Sequence, residues 1–228
     1  MITNKKKFYG GLVGLGLFFV LLAVMFMPLF DGDNALAYSD ELFNKISKDS
    51  SYSVPSLQEE SQDYVGTSIN TSITMDTAEQ AQQTALMYQK AGAEAVASEA
   101  KVTIKGDLGK IVEACLADAA VMHQNNGPAL VEKYGYSERQ AMYNWWESFD
   151  KIRKNLDKAG LNDEEKFVRN VTEDAIEPAY NFYGIEAKSV SSSMGILVFA
   201  LVFYVVYTIW YGFSLMYLLE GWGLATKH

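Results

Sequence analysis

Two stretches of the chain carry no charged residue. Phe8–Phe30 and Met194–Leu219 are unbroken runs of apolar, aromatic and small residues. About 20 apolar residues in a helix cross the ~30 Å hydrocarbon core of a bilayer, so each run is expected to span a membrane. The segment between them is polar, and its periodicity changes along its length. Tyr38–Lys48 reads as a short helix capped by Ser39 or Asp40, with Leu42, Phe43 and Ile46 on one side. Asp49–Gln62 is Ser-rich, holds Pro55 and reads as a linker. Thr67–Met75 alternates, with Ile69, Thr71, Ile73 and Met75 on one face, which is a strand signal.

A helix comes next, capped by Asp76 or Thr77 and stopped by Gly92. Ala97–Asp107 alternates again through Ala100, Val102 and Ile104, and Asp107 opens the next helix. This order, β-α-β-α, predicts a crossover and parallel pairing of the two strands. Two strands make a marginal sheet, so either a third strand in the linker or firm packing on helices or another subunit is expected.

From Asn126 onward the pattern is helical. Pro128 suits a first helical turn. Ser137 and Gln140 match a capping box ahead of a long helix carrying Met142, Trp145, Trp146, Phe149 and Ile152, ended by Gly160. Another helix is expected to break near Pro178. The last is expected to run from about Glu186 into the membrane. The predicted fold is thus two transmembrane helices flanking an extracytoplasmic, helix-rich α+β domain, β-α-β-α followed by a helical bundle segment. Its parts are a cytoplasmic end (1–7), a first span (8–30), a helix and linker (31–63), the outer domain (64–190), a second span (191–219) and a second cytoplasmic end (220–228).

Charge orients this picture. The chain has 228 residues and a formal net charge of −9. Asp31–Val190 holds 27 acids against 15 Lys and Arg, or −12. Lys5, Lys6 and Lys7 precede the first run, and positive flanks stay on the cytoplasmic side. Both ends, with Lys227 at the second, are therefore expected inside and the acidic domain outside, in a bacterial inner membrane. The acidity argues against nucleic acid or an anionic lipid surface as a partner. The single cysteine, Cys115, cannot form an internal disulfide and is expected as a buried thiol. A disulfide-free outer domain fits a bacterial envelope.

Two readings compete at the first run. Ala35-Leu36-Ala37 resembles a processing site, which would make the run a cleaved signal. Its apolar length of 23 residues exceeds a signal core and suits a retained anchor. The expectation is a signal anchor, with Ala35–Ala37 a turn leading into the Tyr38 helix.

The chain offers little for chemistry. It has no haem-attachment motif, no phosphate-cradling glycine loop and no nucleophile elbow. It has two histidines, His123 and the terminal His228. His123 lies eight residues after Cys115, about 12 Å along a helix, too far to share a metal with it. Glu59-Glu60, Glu164-Glu165 and Glu173-Asp174 read as solvated faces or helix N-terminal acids. No cofactor, metal or catalytic residue is expected.

The contact signals are stronger. Gly10 and Gly14 stack on one face of the first run, a spacing that lets another helix approach closely. Tyr204, Tyr207, Tyr211 and Ser214 fall on one arc of the second run, with Thr208 at its edge. The opposite side, through Val202, Val205, Val206, Ile209, Phe213 and Met216, is plain hydrocarbon. Hydroxyls at bilayer depth need partners, and a neighbouring helix supplies them. Neither span holds an acid, His or Lys within it, which argues against an ion or proton path.

In the outer domain, Trp145 and Trp146 point about 100° apart on a helix, so one suits the core and the other an interface. Glu177–Gly184 is a second aromatic patch, suited by position to a membrane-surface belt. The function these features suggest is a non-catalytic accessory subunit of a transporter, channel or respiratory assembly. It would contact other integral membrane subunits, or copies of itself, within the lipid bilayer. The alternative is an extracytoplasmic ligand sensor that signals through a partner subunit.

Overall fold

The computed structural model describes residues 2–30 and 32–224. In chain order its elements are α1 (Lys5–Met25), α2 (Ala35–Ser50), α3 (Val54–Ser61), β1 (Ser68–Thr74), α4 (Ala78–Lys90), β2 (Glu94–Ser98), β3 (Lys101–Asp107), α5 (Leu108–His123), α6 (Gly127–Tyr134), α7 (Glu138–Lys158), α8 (Asn162–Val171), α9 (Glu177–Asn181) and α10 (Val190–Trp222). A π-helical turn, Thr172–Ile176, joins α8 to α9. The chain forms two compact units. One holds the flanking segments up to Ile46 and from Lys188; the other is Ser47–Ala187. Lys227 and His228 lie outside the described residues.

The flanking unit is built on α1 and α10, both long and apolar enough to cross a membrane. They run antiparallel: Phe8 meets Gly221, Gly14 meets Ser214 and Phe18 meets Tyr207. Asn4 caps α1 by accepting from the Lys7 amide, and Ser189 caps α10. After α1 the chain reverses tightly, Phe30 and Asp33 exchanging backbone hydrogen bonds around Gly32 at φ +95°. Helix α2 then begins earlier than the sequence suggested. Its cap is Asn34, whose side chain accepts from the Leu36 and Ala37 amides, so Ala35-Leu36-Ala37 is a first helical turn, not a lead-in.

The Ser47–Ala187 unit is a helix-rich domain with one small sheet. The sheet order is β1-β3-β2, and both pairings are antiparallel. This corrects the expected parallel pair. The sequence Glu94–Ser98 forms an additional strand, and the two-residue turn Glu99-Ala100 sends β3 back along it with Glu99 at φ +52°. Strands β1 and β2 do run the same way, joined by α4, but β3 is inserted between them, giving a split β-α-β arrangement. The domain order is therefore β-α-β-β-α before the helical segment. The third strand is not in the Asp49–Gln62 linker. That stretch is itself folded: Pro55 sits in the first turn of α3, and Val54 and Leu57 are buried.

One sheet face is the core face. Ile69, Ile73, Val102, Ile104 and Ala95 are buried against helices, while Asn70, Ser72, Thr103 and Lys105 point to solvent. The core extends through Val112, Cys115 and Leu116 of α5, Met142, Trp145 and Phe149 of α7, and Phe167 and Val171 of α8. Burial drives the Cys115 thiol well above its ordinary pKa, which leaves it un-ionised and inert.

Caps fix the helix starts. Thr77 accepts from the Gln80 amide at α4. At α7 the expected capping box does not form; Gln140 donates to Asn144 instead. Asp107 accepts from the Lys110 amide (3.1 Å) and the Gly66 amide (2.8 Å). Burial alone would raise its carboxyl pKa, but those amides, with the Lys110 charge, hold it below the usual value. Asp107→Ala is expected to cost about 1 kcal/mol in denaturant unfolding at neutral pH. The folded pKa is depressed, so the stabilisation is present above the unfolded-state pKa and lost as pH falls through the folded one. The gap between variant and parent should therefore close in acid.

Candidate functional site: a seam and a groove beside α10

The seam between α1 and α10 is set by glycines. A Cβ added at Gly11 would lie 2.6 Å from the Ser214 carbonyl oxygen and 2.9 Å from Leu218 Cα. Helix α1 thus presses its backbone onto that of α10. One at Gly14 would lie 2.5 Å from Ser214 Oγ, and one at Gly221 2.5 Å from Phe8 Cα. Ser214 is correspondingly buried. At Gly10 an added Cβ would meet open space. The close approach therefore uses Gly11 and Gly14, spaced by three, rather than Gly10 and Gly14. Thr3 and Lys7 close the seam at one end, Thr3 bonding to the Gly221 carbonyl and Lys7 pairing with Glu220.

The tyrosine arc begins where the seam opens. The Phe18 ring stacks on Tyr207 at 4.2 Å and lies 5.0 Å from the ring of Tyr211. The Tyr207 hydroxyl donates to the Phe18 carbonyl at 3.2 Å. Thr208 donates to its own helix, to the Tyr204 carbonyl at 2.7 Å. Tyr204 is 66% exposed and Tyr211 40%, and among the described residues neither hydroxyl has a hydrogen-bond partner. Phe203 extends the ladder, its ring 5.4 Å from Tyr207.

These side chains line a cavity of about 730 Å³ between α1, α10 and the first part of α2. Its floor is apolar, from Phe18, Leu21, Met25 and Leu42. Tyr204, Tyr207, Thr208 and Tyr211 line it from the α10 side. The groove is thus hydrocarbon-lined, with tyrosine side chains along its α10 side. The smooth side of α10, through Val202, Val205, Ile209 and Phe213, is also exposed. So the groove and the smooth side are chemically different surfaces of one helix.

In the Ser47–Ala187 unit the two tryptophans separate. Trp145 is fully buried, edge-on to Phe149, with its indole N–H on Asp118 at 2.9 Å. It belongs to the core, one of the two places the sequence offered the tryptophan pair. Trp146 is 36% exposed and donates to Glu177 Oε1 at 2.9 Å. His123 rests against the Tyr52 ring and pairs through Nε2 with the Lys48 carbonyl at 3.0 Å. Glu165 of the acid pairs meets Arg153 at 3.1 Å.

Two polar clusters escaped sequence reasoning. Buried Asp118 collects Lys133, Tyr134 and Trp145. Lys48, 1% exposed, donates to Asn125 Oδ1 and the Ile185 carbonyl, and burial lowers its pKa. Neither carried a local signal, because the partners are far apart in sequence. Among the described residues no three His, Cys, Asp or Glu side chains gather closely enough to hold a metal. Searches against protein-family models, curated proteins and solved structures find no match to this chain.

Proposed function

We propose that this chain is a non-catalytic accessory subunit of an integral membrane assembly. In this reading α1 and α10 cross the bilayer, the Lys5–Lys7 end lies in the cytoplasm, and the acidic domain stands outside, in a bacterial inner membrane. The observation that carries the proposal is the groove beside α10. A bare anchor needs only hydrocarbon, yet this helix places a row of tyrosines along one apolar cavity. Tyr207 already satisfies its hydroxyl on Phe18. Tyr204 and Tyr211 hold donors with no partner among the described residues, and an unpaired hydroxyl in hydrocarbon is costly. A partner helix laid in the groove, offering small or hydroxylated residues, would satisfy them and fill the cavity.

The smooth side of α10 would face lipid. The α1–α10 seam, in contrast, is occupied within the chain itself. Its glycines support the packing of the pair, and the groove is what remains for another subunit or a second copy.

The test is co-purification from mild detergent. Tyr204→Phe combined with Tyr211→Phe keeps the rings and removes only the free hydroxyls. The expected result is a loss of partner or oligomer of tenfold or more, with the circular dichroism and thermal melt of the outer domain unchanged. Tyr207→Leu should add a smaller defect, because part of its loss falls on Phe18. Assembly that survives the double substitution would refute the reading.

A further inference from the structure

A second cavity, of about 320 Å³, lies on the Ser47–Ala187 unit between α7 and α9. Tyr143 and Trp146 wall it from α7, with their rings stacked at 5.8 Å and 26°. Ile176 also lines it, with Glu177, Tyr180 and Asn181 of α9. The π-helical turn Thr172–Ile176 ends at this point. A π turn shifts the register of the helix downstream of it, and such turns recur at functional sites. Here it leads directly into Glu177, whose Oε1 accepts from Trp146 Nε1. The second oxygen of that carboxylate has no donor among the described residues.

We infer that this cleft is a binding site for a small organic cation, an alkylammonium group held against Tyr143, Trp146 and Tyr180 with Glu177 as its counter-ion. Three observations converge on that chemistry. Aromatic faces attract cations through the ring quadrupole, tryptophan most strongly, and quaternary ammonium groups are recognised by such walls. The same aromatic cluster already holds one cation of the chain: the Arg139 guanidinium lies 5.4 Å from the Tyr180 ring centre and 5.2 Å from that of Tyr183. The charged residue in the lining is an acid, Glu177, and the nearby carboxylates Glu147 and Asp76 pair with Lys151. Tyr143's phenol is raised above its ordinary pKa by burial first, then by the Glu147 and Asp76 carboxylates and by Tyr180. Glu177 in the lining disfavours an anion, although Arg139 lies over the Tyr180 ring. The volume suits a group of a few heavy atoms at the lower end of ligand pockets. The site does not depend on whether α10 docks a partner helix.

The test uses the full chain in detergent micelles and two probes of nearly equal shape. Choline carries the trimethylammonium charge, and 3,3-dimethylbutan-1-ol is its neutral isostere. Calorimetric titration at constant ionic strength should give saturable binding of choline, with the neutral alcohol at least tenfold weaker. Glu177→Gln keeps the hydrogen bond from Trp146 but removes the charge, and Trp146→Leu removes the strongest face. Each should weaken choline about tenfold, the scale of one desolvated cation–π or ionic contact. Unchanged melting temperatures in both variants keep folding out of the comparison. No saturable heat with choline, equal binding of both probes, or choline binding indifferent to Glu177→Gln and Trp146→Leu would each overturn the assignment.

Discussion

Gly11→Leu is expected to separate α1 from α10. The atoms that an added Cβ would strike are backbone atoms of α10, the Ser214 carbonyl oxygen and Leu218 Cα. Backbone in mid-helix cannot rotate aside as a side-chain tip can. The two helices must move apart along the seam, and the Phe18–Tyr207 stack would open with them. Overpacking of a tight interface costs about 1–3 kcal/mol, and contact with backbone on the partner side puts this case at the top of that range. For helices within a bilayer, as proposed, the loss is felt in full, because close packing rather than hydrophobic transfer holds such helices together.

The neighbouring glycines supply the controls. Gly10→Leu and Gly16→Leu enter open space and should be silent. Gly14→Ala meets Ser214 Oγ, which can turn, and should fall between. Unfolding of the full chain in mixed micelles of increasing SDS would rank them. A Gly11→Leu midpoint equal to that of Gly10→Leu would show that the seam is not the glycine contact described.

The same contrast shows how far the sequence could be read. Both long apolar runs were visible because charge is absent from them, and the two helices over them are expected from length alone. The seam was visible only as a density of glycines. Spacing favoured Gly10 with Gly14, since residues four apart stack on a helix. The partner surface favours Gly11 with Gly14, since α1 crosses α10 where Ser214 and Leu218 bring backbone forward. No property of α1 alone carries that information. The tyrosine arc was legible because hydroxyls in hydrocarbon are rare. The groove that it edges also needs α2, whose start at Ala35 depends on the Asn34 cap.

The sheet failed at one place for a definable reason. Strand β2 reads Glu-Ala-Val-Ala-Ser, and alanine is poor in strands. Its buried positions are small, Ala95 above all, so the hydrophobic alternation that marked β1 and β3 is faint. With β2 unseen, a strand–helix–strand order suggested parallel neighbours. The turn at Glu99-Ala100 lacks glycine and asparagine, the usual signals of a two-residue hairpin. The linker failed differently. Its serines suggested a loop, although Val54, Leu57 and Ser61 keep helical spacing and all are buried.

Asp118→Ala is expected to destabilise the Ser47–Ala187 unit strongly. The carboxylate is 2% exposed and sits on α5. It accepts from Lys133 at 2.6 Å and Tyr134 of α6, and from Trp145 of α7 at 2.9 Å. One side chain therefore ties three helices together. Burial, then the Asp118 charge, pushes the Tyr134 phenol far above its ordinary pKa, so its proton stays in place as a donor.

Removing the carboxylate leaves two buried donors, the Trp145 indole and the Tyr134 hydroxyl, without an acceptor, and Lys133 without its counter-ion. Each buried donor left without an acceptor costs about 1–3 kcal/mol, so the two together cost about 2–6 kcal/mol, while Lys133, 34% exposed, can turn to water. For a chain of this length that corresponds to a fall in melting temperature on the order of 10 °C. Asp118→Asn keeps an acceptor oxygen but loses the charge, and should lie between. Lys133→Ala should cost less, because the buried carboxylate keeps its hydrogen bonds from Tyr134 and Trp145. Thermal melts of the three variants, followed by near-ultraviolet dichroism of the buried tryptophan, test the ranking. An Asp118→Ala melt no lower than that of Lys133→Ala would mean that Trp145 and Tyr134 find other acceptors, and that Asp118 is not the tie between α5, α6 and α7.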